Sequence, residues 1–246
     1  MLVRIFKSAE DYSIAAASEI ARLIERKPDA VLGLATGTSP LLLYKKLIRL
    51  HEEEDLDFSR ITTFNLDEYV ALPRSHPQSY HSFMTENLFS KINIRPGNIY
   101  IPNGTVENIE EQCDWYEEQI KQAGGIDLQI LGIGGNGHIA FNEPGASLGS
   151  RTRIKTLSEQ TRKDNSRFFN TMDEVPKYAI TMGIGTIMDC HRLLLMASGK
   201  SKAVAMKNTI EGPITAMVPA TIVQMHRYAM IYIDEEAAAH LSGEHE

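Results

Sequence analysis

Short, continuously apolar segments alternate with amphipathic segments along this chain of 246 residues. The apolar runs at 30–35 and 126–134 lack the polar alternation of a half-exposed strand, so they are typical of strands buried on both faces. Segments such as 8–26 and 41–48 instead repeat apolar residues at helical spacing. This order predicts a doubly wound, Rossmann-like α/β fold with a mainly parallel sheet, helices on both faces and a single domain over residues 1–246.

The first two helices carry start signals in the sequence. Ser8 and Asp11 form a capping box at the beginning of the first helix. Ser39 followed by Pro40 is typical of an N-cap and a first helical residue. Further strands are predicted over 2–6, 61–66 and 228–234, and at the segments RIKTL, YAITMG and RLLLMA.

Three polar segments directly follow predicted strands: TGTSP (36–40), DEY (67–69) and GGNGH (134–138). The carboxyl ends of the strands in such a sheet meet at one edge, and ligands bind in the crevice outside them. The segments are far apart in sequence. We nevertheless expect them to share one crevice.

The charge balance argues against several classes of protein. The chain has 25 Lys and Arg against 32 Asp and Glu, a net charge of −7 and a pI near 5.7. No basic stripe dominates, so we expect no nucleic-acid partner, although a few local cations suffice to bind a small anion. The two cysteines, Cys113 and Cys190, are too few for a disulfide framework or a cysteine-rich zinc site.

Membrane and metal signals are also missing from the sequence. The start MLVRIFKSAEDYS lacks the apolar run of a signal peptide, and no segment approaches the roughly 18 apolar residues of a membrane span. We therefore expect a soluble, cytoplasmic protein without a membrane partner. His76 and His81 do not show HxH or HExxH spacing, so no metal site is predicted.

The segment LGIGGNGHIAFNEPG contains the glycine spacing of a dinucleotide-binding loop, at Gly132, Gly134 and Gly137. Such a loop must open a helix whose N-terminal amides face the pyrophosphate. Here Pro144 and Gly145 follow too soon for a crossover helix, and RIKTLSE stands where the ribose-binding acid is due. The sequence also lacks the GxxxxGK[ST] motif. We therefore expect no nucleotide cofactor.

The acidic and histidine motifs each have a functional and a structural interpretation. His138 and Glu143 could form an acid–base pair just beyond the glycines, or could belong to a tight turn. Asp67 could act as a general base whose pKa is set by partial burial. Adjacent acids more commonly mark a solvated turn, however, and of Asp67 and Glu68 only one can readily point into the crevice.

The candidate phosphate-binding groups are equally open. Residues 36–39 offer backbone amides and hydroxyl groups at a helix start, where they could bind a phosphate or simply cap the helix. Arg167 in NSRFF and Lys202 in GKSKA are potential phosphate partners. Taken separately, each is more typical of a solvated side chain.

Together, the motifs TFNLDEYVALPRSHPQSYHSFM, LGIGGNGHIAFNEPG, SRTRIKTL, NSRFF and VPKYAITMGIGTIMD resemble glucosamine-6-phosphate deaminases, of the glucosamine/galactosamine-6-phosphate isomerase family. The match runs in order from about residue 30 to residue 226. This resemblance implies hydrolytic deamination of glucosamine 6-phosphate to fructose 6-phosphate and ammonia, in amino-sugar catabolism. It implies an amino-sugar phosphate as the partner and no cofactor.

The resemblance also implies roles for individual residues. Asp67 falls at the proton-abstracting position. His138 falls at the ring-opening position, assisted by Glu143 and Asn136. Some relatives carry Asp in place of Asn136, so this chain has one charge fewer there. The resemblance assigns the sugar-phosphate site to Thr36, Gly37, Thr38, Ser39, Arg167 and Lys202.

Two alternatives share features with this interpretation. A 6-phosphogluconolactonase has the same fold and a glycine–histidine loop, but lacks the NEPG continuation and the NLDEY motif. A non-enzymatic sugar-phosphate sensor would carry a DNA-binding helix-turn-helix, for which the first predicted strand at residue 2 leaves no room.

The chain ends soon after its last predicted strand, and Ala146 replaces a serine of allosteric relatives. We expect a monomer or small homo-oligomer with weak or no regulation.

Overall fold

The computed structural model describes residues 1–243. The strands in this part of the chain are β1 (Leu2–Phe6), β2 (Val31–Leu34), β3 (Thr62–Asn65), β4 (Asp67–Tyr69), β5 (Ile99–Tyr100), β6 (Leu128–Leu131), β7 (Arg153–Thr156), β8 (Tyr178–Thr181), β9 (Leu193–Ala197) and β10 (Ala229–Asp234). The α-helices are α1 (Ala9–Arg26), α2 (Leu41–Glu54), α3 (Tyr80–Asn87), α4 (Ile109–Gln122), α5 (Glu159–Ser166), α6 (Ile184–Met188) and α7 (Ala203–Glu211). None of the helices within residues 1–243 is long and apolar enough to cross a membrane.

The main sheet has the order β1-β10-β9-β6-β2-β3-β5, and every neighbouring pair is parallel. From β2 the chain winds outward through β3 to β5, then returns to β6 and winds the opposite way through β9 to β10. The winding direction therefore reverses between β2 and β6. This is the switch point at which doubly wound sheets form their ligand crevice. The predicted fold class is confirmed.

Helices cover both faces of this sheet. Helices α1 and α2 bury Tyr12 and Tyr44 in one apolar cluster, and α4 and α7 bury Tyr116 and Met206 in a second cluster on the other face. Strand side chains alternate between the two clusters, as the pleat requires. The continuously apolar strands of the sequence are thus buried on both sides, which explains their lack of polar alternation.

A smaller antiparallel sheet, with the order β4-β8-β7, was not predicted. The sequence indicates strands at RIKTL and YAITMG, but not that they leave the main sheet. Burial alternates along β7, with Ile154 and Thr156 exposed and the charged Arg153 and Lys155 half-buried. The interpretation of Asp67 and Glu68 as a solvated turn is wrong, since both residues lie in a buried strand.

The helix starts agree with the sequence in one case and differ by a residue in the other. The Ser8 side chain accepts a hydrogen bond from the Asp11 N–H, as the capping box predicts. Helix α2 is instead capped at Pro40, with no side-chain hydrogen bond, so the prediction of Ser39 as N-cap is wrong. Ser39 turns toward Gly132, where a β-carbon would lie 3.6 Å from its Oγ.

Candidate active site

One cavity of about 770 Å³ opens at the switch point of the main sheet. Residues 36–39 follow β2, residues 132–135 follow β6, and Asp67 begins β4 just beyond the end of β3. All of them line this cavity, together with His138. The three polar segments therefore share one crevice, as their positions at strand ends predict.

Asp67 brings a carboxyl group to the cavity wall from within the small sheet. It pairs with Thr181 of β8, and only 6% of its surface is exposed. Burial raises the pKa of Asp67 to about 8, and the neighbouring Glu68 adds to this effect. Desolvation disfavours the charged form of a carboxyl group. Asp67 is thus a stronger base, once ionised, than an exposed aspartate.

His138 is held in one tautomer by Asn136. The Asn136 Oδ1 accepts hydrogen bonds from the His138 backbone N–H, at 3.2 Å, and from Nδ1, at 2.7 Å. Because a backbone N–H only donates, the shared side-chain atom is the amide oxygen, and Nδ1 must carry a proton. In the neutral ring, Nε2 consequently has the lone pair.

The glycines of this loop are explained by the histidine and not by a nucleotide. The His138 ring packs on Gly134, where a β-carbon would lie 2.1 Å from Cε1. Gly137 has a φ of +83°, and its β-carbon would meet the Val218 side chain at 2.4 Å. No helix begins between Leu131 and Arg153 in the described chain. The arrangement that a pyrophosphate requires is therefore missing.

Burial also sets the charge state of His138. Desolvation lowers the pKa of the imidazole, Lys202 lowers it further, and the carboxylates of Glu143 and Asp164 oppose the shift. The ring is consequently neutral near pH 7. A neutral ring with Nε2 unprotonated can accept a proton from a bound hydroxyl group and return it to another oxygen.

Glu143 acts on His138 through its charge and not through a hydrogen bond. Its Oε1 accepts from Ser158 Oγ at 2.9 Å and also from Thr161 Oγ1. Ser158 is the N-cap of α5, so Glu143 joins the loop after β6 to that helix. No hydrogen bond between Glu143 and His138 occurs within residues 1–243. The group that orients the ring is Asn136.

Arg167 and Lys202 line the cavity with the segment 36–39, as does Lys163, which is paired with Glu159 at 2.7 Å. The Arg167 guanidinium lies over the Phe168 ring, 4.7 Å from its centre. Lys202 is half-buried just before α7, and burial lowers its pKa, with Asp164 opposing and Arg167 adding to the shift. A bound dianion would stabilise the charged form of this lysine. The structure thus brings together the sequence-predicted cations, which lie far apart along the chain.

Aromatic residues of the site were not identified from the sequence. The Tyr69 and Tyr80 ring centres are 4.9 Å apart, and Tyr80 stacks on Phe141 at 6.1 Å. Asn165 of α5 donates a hydrogen bond to the Tyr69 hydroxyl at 3.0 Å. All four residues line the cavity. The aromatic density of QSYHSFM and RFF was the available signal, but such residues are more often simply core.

Metal binding has no geometric basis in the described residues. No group of three or more His, Cys, Asp or Glu side chains within residues 1–243 is arranged to hold an ion. The two cysteines are free and buried.

Fold and crevice together define an α/β protein with carboxyl groups, an imidazole and basic side chains around one small-molecule cavity. A family model of glucosamine-6-phosphate isomerases and 6-phosphogluconolactonases matches residues 7–232. The chain belongs to this family.

Within the family, similar sequences carry one name. A glucosamine-6-phosphate deaminase of Thermoanaerobacter sp. (strain X514) is 52% identical over 239 residues, which cover 97% of this chain and 94% of the relative. A glucosamine-6-phosphate deaminase of Clostridium perfringens (strain 13 / Type A) is 50% identical over 238 residues, with 97% and 98% coverage. Both relatives are matched over almost their whole length.

Solved structures show two levels of likeness. A monomeric glucosamine-6-phosphate deaminase superimposes with a TM-score of 0.95 at 48% identity, covering 97% of this chain and 99% of that chain. The 6-phosphogluconolactonase of Trypanosoma brucei superimposes with a TM-score of 0.78 at 18% identity, with 98% coverage of both. The second likeness shows the fold alone.

Proposed function

We propose that this chain is a glucosamine-6-phosphate deaminase, which converts glucosamine 6-phosphate and water to fructose 6-phosphate and ammonia. One observation carries the proposal: Asp67, of raised pKa, and the neutral His138 border the same cavity as Arg167 and Lys202. A base, a proton shuttle and an anion site are the groups that this reaction needs. The names of relatives at 50% identity or more support the same activity.

The phosphate group of the substrate binds first in this scheme, between residues 36–39 and the two cations. Backbone amides and hydroxyl groups of the loop donate hydrogen bonds to it. Arg167 and Lys202 supply charge. Because the phosphate is remote from the reacting carbons, its binding energy positions C1 and C2 against the base without taking part in the chemistry.

Ring opening is assigned to His138. The unprotonated Nε2 takes the proton of the C1 hydroxyl group, and the resulting imidazolium returns a proton to the ring oxygen, so that the C1–O5 bond breaks. Asn136 keeps Nδ1 protonated throughout, because its Oδ1 only accepts. The Glu143 charge stabilises the transient imidazolium, as its effect on the pKa of His138 indicates.

Isomerisation and deamination follow at Asp67. The ionised carboxylate removes the C2 proton from the open-chain aldehyde and leaves an enolamine. The same group then returns a proton at C1, which produces the imine of fructose 6-phosphate. Water adds to C2, the C2–N bond breaks and ammonia leaves. Each acid–base role of this kind typically contributes roughly 10²–10⁴-fold in rate, and no step requires a cofactor.

The cellular setting is part of the proposal. We infer a cytoplasmic enzyme of amino-sugar catabolism that works as a monomer or a small homo-oligomer, and the monomeric relative of known structure supports a small assembly. Size-exclusion chromatography with light scattering tests the assembly. A hexamer would contradict it.

A direct assay tests the activity. The purified protein is mixed with glucosamine 6-phosphate, and ammonia and fructose 6-phosphate are measured together; equal amounts of both are expected. Hydrolysis of 6-phosphogluconolactone is followed in parallel with the same protein. If the folded protein hydrolysed the lactone and released no ammonia, the proposed deaminase activity would be wrong and the protein would be a lactonase. Binding of the sugar phosphate without either turnover would favour a sensor.

A further inference from the structure

Glu68 is a buried carboxylate next to the proposed base, and no step above uses it. Consecutive residues of a strand point to opposite faces, so Glu68 points away from the cavity when Asp67 borders it. Only 2% of the Glu68 surface is exposed. A buried carboxylate is costly unless hydrogen bonds compensate for its lost hydration, so its partners indicate what it does.

Three backbone N–H groups donate to Glu68. Oε1 accepts from Tyr69 at 2.8 Å and from Tyr80 at 3.0 Å, and Oε2 accepts from His81 at 2.9 Å. Tyr80 and His81 are the first two residues of α3. The carboxylate therefore ties the N-terminus of α3 to the strand that carries Asp67.

An ordinary helix cap does not account for these bonds. Ser79 already caps α3, with its side chain accepting from the Ser82 N–H. Residues 77–80 also line the cavity, on a different element from Asp67. Glu68 thus joins two walls of the same cavity through charge-assisted hydrogen bonds, which are stronger than neutral ones.

The charge of Glu68 acts on Asp67 as well. Burial raises the pKa of Glu68, but the three N–H donors and Arg74 favour its ionised form. That negative charge adds to burial in raising the pKa of Asp67. Tyr69, Tyr80 and Tyr116 also face Asp67, and burial raises the pKa of each phenol, so they remain neutral.

We propose that Glu68 is a positioning residue, which fixes Asp67 against the substrate by clamping β4 to α3 and strengthens it as a base by its negative charge. This inference rests on the proposed function only where turnover is measured. The two effects of Glu68, its hydrogen bonds to backbone amides and its charge acting on Asp67, can both be measured without substrate.

The test compares Glu68→Gln with the matched control Glu117→Gln. Glu117 also accepts three hydrogen bonds, from the Thr152 N–H at 2.8 Å and from the Thr152 and Thr186 hydroxyl groups at 2.5 Å, but it does not line the cavity. Carbon NMR of labelled carboxyl groups follows the titration of Asp67 in each protein. Kinetics give kcat, KM and their pH dependence.

In Glu68→Gln the titration midpoint of Asp67 and the acid limb of the kcat/KM profile are both expected to fall, because a repelling charge is gone. We expect kcat to fall on the order of 100-fold, as for a base displaced by about 1 Å, with a smaller change in KM. Glu117→Gln should leave the midpoint and the acid limb at wild-type values. An unmoved Asp67 midpoint in Glu68→Gln, or an equal shift in Glu117→Gln, would overturn the inference.

Glu68→Asp keeps the test decisive if Glu68→Gln does not fold. The shorter side chain retains the charge but cannot reach all three amides. The midpoint of Asp67 should stay raised while hydrogen exchange at Tyr80 and His81 accelerates and kcat falls. Faster exchange with wild-type kcat would overturn the positioning role. If the wild-type protein released no ammonia, the proposed activity would fail, while the NMR and exchange results would still decide the clamp.

Discussion

The His138 imidazole rests directly on the backbone of Gly134, so closely that a β-carbon at residue 134 would lie 2.1–2.5 Å from three of its ring atoms. Gly134→Ala is therefore expected to push the ring away and to weaken the bond between Nδ1 and Asn136. We expect kcat to fall by about 10²-fold or more, the typical contribution of a positioned acid–base group. Ammonia release measures the effect.

Gly149→Ala is the matched control for this substitution. Gly149 belongs to the same long connection between β6 and β7, but a β-carbon there meets nothing within 4 Å. It should leave kcat and the free energy of unfolding close to wild-type values. If both alanine variants lost the same activity, general loosening of the connection would explain the loss, and contact with the ring would not.

Asp67→Asn separates binding from chemistry. The amide keeps the shape of the side chain but cannot accept the C2 proton, so exchange of that proton with deuterated solvent should stop. Binding should persist, because the proposed phosphate site, at Arg167 and Lys202, is formed by other residues of the cavity. Proton NMR of the substrate measures the exchange, and calorimetry measures the binding. Exchange at the wild-type rate would remove Asp67 from the role of base.

The same residue predicts how activity depends on pH. Asp67 must be ionised to accept a proton, and its pKa is about 8 in the free protein. Activity as kcat/KM should therefore rise as the pH increases through about 8, after correction for the separately measured titration of the substrate amino group. His138 does not impose this limb, because burial lowers its pKa. An acid limb below about pH 6 would contradict the assignment.

The free energy of unfolding should fall as the pH increases, whereas the activity should rise. An unfolded aspartate has a pKa near 3.9, whereas Asp67 in the folded protein has a pKa of about 8. Between these values the folded state binds more protons, so each rise of one pH unit destabilises it by up to about 1.4 kcal/mol. Asp67→Asn removes this loss. Urea unfolding at pH 5 and at pH 8 measures the free energy of unfolding of both proteins. The stability of the variant relative to wild type should be greater at pH 8 than at pH 5. An equal difference at the two pH values would contradict the raised pKa.

The sequence predicts the main sheet well because its strands are buried on both faces, and continuous apolar runs such as 126–134 report that burial directly. It does not predict the small sheet, because segments such as RIKTL indicate a strand but not the sheet that the strand joins. The burial of Asp67 follows from this second sheet, through its pairing with Thr181. The local sequence allows a buried base at Asp67, but the extent of that burial depends on the second sheet, which it does not predict.

The candidate site likewise has residues whose positions the sequence predicts and contacts that it does not predict. Residues at strand ends, such as His138 and those at 36–39, could be placed in one crevice because sheet topology alone brings strand ends together. The hydrogen bonds of Asn136 and Glu143 depend on loop conformation and on where α5 begins. The sequence names both Glu143 and Asn136 as partners of His138, and only the folded loop shows that Asn136 makes the hydrogen bond.

Asn136 offers the sharpest test of ring opening. Asn136→Leu removes the oxygen that accepts from Nδ1, so the His138 ring can adopt either tautomer and lose the unprotonated Nε2. Turnover should then plateau at the uncatalysed rate of substrate ring opening as the enzyme concentration is raised. Wild-type protein should show no such plateau. If the rate of the variant instead stayed proportional to its concentration, Asn136 would have no role in ring opening.

Asn136→Asp tests the missing charge at the same position. The Asn136 Oδ1 lies 2.7 Å from the His138 Nδ1, and a carboxylate in its place can accept the same hydrogen bond. Its negative charge would favour the charged imidazolium. The pKa of His138 should rise from its lowered value, which nitrogen NMR of the ring measures directly, while Nδ1 stays protonated. Activity should persist, because the tautomer is kept, and should decline only where the raised pKa leaves the ring charged. Loss of activity at every pH would mean that the neutral amide itself is required.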